Sequence, residues 1–201
     1  MKEVSNQPAN LKKVDTYKIL MVGKFIDWKR HLFLIQAVES LISERYNIQL
    51  TLVGECTSDD QMKYLERIRE YVSRQKLDQN ISIITNVDHN SMGIFYQNAH
   101  FFVLPSVGEV FGFSSLEALS HGLPVIVSTR NGFQYNITNG YNGYVFKADN
   151  IIDLISKIKL LTNFYDLSIM QVNCLQYVKE HHSPNIYIDN IYNLISVGYK
   201  D

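Results

Sequence analysis

The stretch His100–Ser128, HFFVLPSVGEVFGFSSLEALSHGLPVIVS, decides the fold. It opens on an apolar run, His100–Pro105, and closes on another, Pro124–Ser128, with a helical pattern over about Ser114–His121 between them. Short apolar runs bounded by Pro and Gly read as buried strands. Two such strands joined by a helix form a unit whose strands run parallel, because the crossover helix returns the chain to the same end of the sheet.

The same alternation extends outward in both directions. Upstream, Tyr17–Gly23, Asn47–Gly54 and Asn80–Thr85 read as strands. Trp28–Tyr46 reads as a helix with Leu32, Ile35, Val38 and Ile42 at helical spacing. Ser58–Leu77 reads as a polar helix with Met62, Leu65, Ile68 and Val72 on one face, and a short helix is expected near Asn90–Asn98. Downstream, Gly143–Phe146 is a sixth, short strand, followed by helical patterns over Ile151–Leu161 and on to Tyr199. The expected fold is therefore α/β: a Rossmann-like, doubly wound parallel sheet of six strands with flanking helices, in the order 3-2-1-4-5-6. Residues 1–16 read as a leader or linker, 17–165 as the ligand-binding domain, and 166–201 as helices that complete it or cross to another domain.

Composition excludes several classes. The chain has 201 residues, 46% hydrophobic and 19% charged, which is the composition of a folded domain. With 19 Lys+Arg against 20 Asp+Glu, it lacks the basic surface of a nucleic-acid binder. Its two cysteines, Cys56 and Cys174, stand in no metal or redox spacing and read as reduced thiols of a cytoplasmic protein. The histidines His31, His89, His100, His121, His181 and His182 are scattered without partner carboxylates at ligand spacing, so no metal is expected. Ser58-Asp59-Asp60 reads as a helix cap with its dipole partners.

In a doubly wound sheet, ligands bind beyond the carboxyl ends of the strands where the strand order reverses, here between the first and fourth strands. After the first strand come Gly23, Lys24, Asp27, Trp28, Lys29 and Arg30. Asp27 reads as an N-cap that places Lys29 and Arg30 in the first turn of a helix, where cations oppose the dipole and a bound anion would reverse the sign. Lys24 and Lys29 read as anion ligands, and Arg30 as part of a solvated face. After the fourth strand, Glu109 precedes a helix and Glu117 lies inside it, with Gly112 between them. Carboxylates accept hydrogen bonds from sugar diols, and amides at a helix start cradle phosphate. Ser114-x-x-Glu117 is equally a capping box, which would give Glu117 a structural task. The aromatics Phe101, Phe102, Phe111 and Phe113 read first as core. Thr129–Gly132 ends on the same side of the sheet.

These residues resemble the C-terminal, donor-binding half of a retaining family-4 glycosyltransferase with GT-B architecture. The family pattern Pro-Ser-x-x-Glu-x-Phe-Gly-x-x-x-x-Glu-Ala-x-x-x-Gly-x-Pro-Val is met from Pro105 through Val125. Its Val-Gly-Arg…Lys element falls on Val22, Gly23, Lys24 and Lys29, and its Gly-Gly…Asn-Gly-x-x-Gly stretch on Asn131 to Gly143. Lys24 stands where the family usually has Arg, Asn131 replaces the first glycine of the pair, and Tyr135 replaces a frequent glutamate.

The resemblance implies a nucleotide-diphosphate sugar as donor, transferred to a glycan or lipid-linked acceptor. It implies that Gly23, Lys24, Lys29, Phe111, Gly112, Phe113 and Ser114 hold the donor, with the diphosphate on the two lysines and on amides around Gly112–Ser115. Glu109 would face the transferred sugar and, with the lysines, form the catalytic set. Glu117 would hold the ribose, and the loop near Asn86–His89 the base. No cofactor is implied. The acceptor-binding N-terminal domain of that family has no counterpart in this chain, so the isolated half is expected to be inactive and to need that domain in cis or in trans. Peripheral association with the inner face of a membrane is expected of the full enzyme. A non-catalytic nucleotide-sugar module, an activating subunit and a GT-B epimerase are the alternatives.

Overall fold

The structure, a computed structural model, describes residues 15–182. Six parallel strands form one sheet: β1 (Tyr17–Val22), β2 (Ile48–Gly54), β3 (Ile81–Thr85), β4 (Phe101–Leu104), β5 (Val125–Ser128) and β6 (Gly143–Phe146). Their order is β3-β2-β1-β4-β5-β6, as the alternation of elements predicts. β1 pairs with β2 from Tyr17↔Ile48 to Val22↔Val53 and with β4 at Ile19↔Phe101 and Leu20↔Phe102. All four residues of β4 and all four of β5 are buried, which is why their sequences show no polar alternation.

The helices are α1 (His31–Ser43), α2 (Asp59–Arg74), α3 (Met92–Asn98), α4 (Phe113–Ser120), α5 (Ile151–Leu161) and α6 (Phe164–His181). α1 packs with α2 and α5, and α4 packs with α6. α6 contributes Leu167, Met170 and Cys174 to the core. The amphipathic pattern over Pro184–Tyr199 and residues 1–14 of the leader lie outside the described residues. Among those described, no helix is long and apolar enough to cross a membrane.

Two helix starts differ from their sequence expectations, and both differences bear on the site. Asp27 caps nothing: Asp27–Lys29 is a separate 3-10 turn, and Arg30 follows in the left-handed region at φ 64°. α1 therefore begins at His31, so Lys29 and Arg30 precede it rather than opposing its dipole from the first turn. The Ser114–Glu117 capping box is also not formed. Gly112, at φ 74°, is the N-cap of α4, a conformation that glycine adopts without strain. Ser114 is thereby the second helical residue, and its hydroxyl donates to the Val22 carbonyl at 3.2 Å.

The Ser58 cap holds, with Gln61 completing a capping box and Asp59 and Asp60 in the first turn. On α2, Tyr64 is buried while Met62 is half exposed, because the apolar stripe runs through Leu65, Ile68 and Val72. Phe101 and Phe102 are core, but Phe113 is 71% exposed and Phe111 sits at the surface beside it, with ring centroids 4.6 Å apart. Both belong to the loop and first turn that leave the sheet, where no helix covers them.

Candidate functional site

The loops after β1 and β4 meet where the strand order reverses. Val107 N–H donates to the Trp28 carbonyl at 2.9 Å, which ties the two loops together. The loop after β4 is held on its other side by β5's exit: Gly108 N–H donates to Arg130 at 3.0 Å and Gly132 N–H to Glu109 at 2.7 Å. A Cβ on Gly132 would fall 1.8 Å from the Val110 carbonyl oxygen, so only glycine lets the two segments approach this closely. Gly132→Ala is expected to push the Glu109 loop away and to cost about 2 kcal/mol, a fall in Tm of about 4–8 °C for a domain of this size, read by thermal melt. An unchanged Tm would show that the loop yields without cost.

Asn131, the departure from the glycine pair, is fully buried. It donates to Ser106 Oγ at 3.0 Å and accepts from Phe133 N–H at 2.9 Å. Its side chain staples the loops after β4 and β5 from beneath. Tyr135 is 87% exposed.

On this frame sit the four side chains that the sequence singles out. Lys29 and Glu109 form an ion pair whose side chains are only 12% and 16% exposed. Lys29 reaches Glu109 across Gly23, where a Cβ would lie 3.3 Å from the Lys29 Cδ. Gly23, Lys24 and Glu117 line one open cleft of about 540 Å³, together with Val22, Glu55, Asn86 and His89. That volume is in the range of small-molecule sites, about 300–1,000 Å³. Glu117, free of capping, accepts from the Tyr96 hydroxyl at 2.7 Å. The loop near Asn86–His89 contributes Asn86, Val87 and His89 to the cleft's lining. Asn86 clamps Cys56 there, accepting from its N–H at 2.8 Å and donating to its carbonyl at 3.0 Å.

Phe111, Gly112 and Phe113 lie at the start of α4 beside Glu109; a Cβ on Gly112 would be 3.5 Å from the Glu109 Cγ. Of the amides around Gly112–Ser115, that of Ser115 is committed to the Gly112 carbonyl at 2.8 Å.

Sequence reasoning missed Glu55 and Tyr96. Glu55 bonds Lys24 Nζ at 3.2 Å, and that bond holds its carboxyl below the usual range. Its place, one residue beyond β2 at the carboxyl end of the sheet, is the signal that could have found it. Tyr96 carries no such signal, since it reads as a core aromatic on α3. Asp149 bonds Arg30 at 2.5 Å and Arg130 at 3.3 Å on the flank of the Lys29–Glu109 pair. Lys24 is thus paired with Glu55, Lys29 with Glu109, and Arg30 and Arg130 with Asp149, so the cations of these loops each have a carboxylate partner. Among the described residues, no group of three His, Cys, Asp or Glu could hold a metal ion.

The family model described as glycosyl transferases group 1 matches residues 3–180. The chain belongs to the group 1 glycosyltransferases. Within this family it is 33% identical over 180 residues to the capsular polysaccharide biosynthesis glycosyltransferase CapH of Staphylococcus aureus, covering 85% of this chain and 48% of CapH. It is 29% identical over 153 residues to CapM of the same organism, covering 74% of this chain and 37% of that relative. The chain thus spans less than half the length of these relatives. Among solved structures, Anabaena HepE in complex with UDP-glucose superposes with a TM-score of 0.79 at 16% identity, over 91% of this chain and 49% of that one. This group 1 chain shares the fold of about half of that neighbour, one Rossmann-like half of a GT-B architecture.

Proposed function

We propose that this group 1 chain is the donor-binding half of a retaining glycosyltransferase, and that its cleft holds a nucleotide-diphosphate sugar. The observation that carries the reading is convergence. Lys24 and Glu117 line one cleft at the reversal of strand order, and the Lys29–Glu109 pair adjoins it across Gly23. The HepE complex with UDP-glucose supports the donor class, and the capsular relatives support a polysaccharide or lipid-linked glycan as acceptor.

The residues then divide the work. Glu117 accepts hydrogen bonds from the ribose hydroxyls, and the loop of Asn86 and His89 takes the base. Lys24 and Lys29 take the diphosphate, with Gly23 leaving room for it and the start of α4 from Phe111 to Ser114 beneath. Glu109 faces the sugar once Lys29 has turned to phosphate. In the reaction, the bond from the anomeric carbon to the phosphate oxygen breaks. The acceptor hydroxyl oxygen bonds that carbon on the same face, and its proton goes to the departing phosphate. Negative charge grows on the diphosphate as it leaves. A fixed cation at ~4 Å stabilises that charge by ~4 kcal/mol at an effective dielectric near 20, before desolvation. Catalysis on this half is electrostatic positioning, and no cofactor is invoked. The acceptor site belongs to an N-terminal domain supplied in cis or in trans, without which this half does not turn over.

A thermal-shift panel of UDP-, GDP- and ADP-sugars tests the reading. One of them, at a hundred times its Kd, is expected to add ~2.7 kcal/mol, raising Tm by about 5–10 °C. If none shifts Tm more than its parent nucleoside, the diphosphate reading fails.

A further inference from the structure

We infer that Tyr96 is a positioning residue for Glu117: its hydroxyl holds one carboxylate oxygen and leaves the other to the ribose hydroxyls in the cleft. The inference rests on the nucleotide reading above.

Tyr96 comes from α3 and Glu117 from α4, so the bond links two helices around one wall of the cleft. The ring is 2% exposed. His121 stacks on it at 4.9 Å between centroids, and Phe102 lies 6.3 Å away. This ring has no room to swing, so its hydroxyl is a fixed point. Burial, and then the bond to Glu117 itself, push the phenol pKa up. The group therefore stays protonated and can donate to Glu117 at every working pH. A carboxylate offers about four acceptor sites on two oxygens. With Oε2 engaged by Tyr96 at 2.7 Å, the glutamate's orientation is set before any diol arrives. A glutamate side chain otherwise loses rotamer freedom on binding, which weakens affinity. Tyr96 touches no substrate in this account; it acts through Glu117.

The test is calorimetry on the full chain with uridine, guanosine and adenosine diphosphates, each against its 2′-deoxy counterpart. For the diphosphate that binds, wild type is expected to prefer ribose about tenfold, the size of one well-placed hydrogen bond or two. Tyr96→Phe keeps the ring and is expected to lower that preference about fivefold, with the deoxy affinity held within twofold. Glu117→Asp keeps the charge but draws the carboxylate away from the hydroxyl, and is expected to give the same pattern with Tyr96 intact. Adding Tyr96→Phe to Glu117→Ala is expected to change nothing further. A Tyr96→Phe variant with the wild-type preference, or one that weakens ribose and deoxyribose ligands alike, overturns the inference alone. Failure of wild type to bind any of the diphosphates, or an undiminished preference in Glu117→Ala, overturns the nucleotide reading and this inference with it.

Discussion

Lys29→Ala weakens binding of a nucleoside diphosphate by about 2–4 kcal/mol, roughly 30- to 700-fold, while Glu109→Gln leaves it equal or tightens it several-fold. The two signs follow from the ion pair. Removing Lys29 deletes a charge-assisted contact to phosphate and strands the Glu109 carboxylate, 16% exposed, beside the ligand's own negative charge. Removing the charge of Glu109 releases Lys29 from its competitor. The parent nucleoside serves as control and should bind all three proteins alike. A purely structural ion pair behaves differently: both substitutions lower stability and neither discriminates diphosphate from nucleoside. Calorimetry with both ligands separates the cases, and equal losses for nucleoside and diphosphate in Lys29→Ala remove the phosphate role.

The second large effect is on stability, and it comes from His31. This side chain is fully buried at the start of α1, stacked on Phe25 at 4.8 Å and edge-on to Tyr64 at 5.8 Å. Neither ring nitrogen makes a well-formed hydrogen bond, although the Gly23 backbone lies near enough to favour the protonated ring slightly. Burial dominates, nearby Lys29 adds to it, and the pKa falls from 6.5 to about 3. The folded state thus resists a proton that the unfolded state accepts. The contribution is complete above pH 6.5 and is lost as pH falls toward 3. Linkage gives a loss of about 2 kcal/mol at pH 5 and about 3 kcal/mol at pH 4. His100, whose pKa burial and Lys18 also lower, adds a change of the same sign. Denaturant unfolding at pH 7, 5 and 4 measures it. His31→Leu should flatten most of the profile; a variant as acid-sensitive as the parent would assign the loss to other groups.

The sheet was legible because parallel strands leave a plain mark. The expected runs from Tyr17 to Phe146 match the observed strands to within a residue or two at each end, since Pro, Gly and Asn bound each one. The helix starts were less legible for a specific reason. Arg30 takes a left-handed backbone without being glycine or asparagine, and nothing in its identity announces it. At Gly112 the signal was present, but Ser114 competed for the cap and the spacing could not arbitrate. The positions of Glu109, Glu117, Lys24 and Lys29 near the strand ends were readable from topology. Their partners were not. Lys29 meets Glu109 across 80 positions and Lys24 meets Glu55 across 31, pairings that only the closed sheet creates. Tyr96 is the extreme case, an aromatic at a core position whose one polar atom faces the site.

The most direct test is a crystal structure of the chain with the nucleoside diphosphate that raises its Tm most. The ribose hydroxyls should lie on Glu117, and Lys29 Nζ should sit ~2.7–2.9 Å from a phosphate oxygen, no longer bonded to Glu109. A nucleotide bound outside this cleft, or phosphates that leave the Lys29–Glu109 pair intact, would contradict the account.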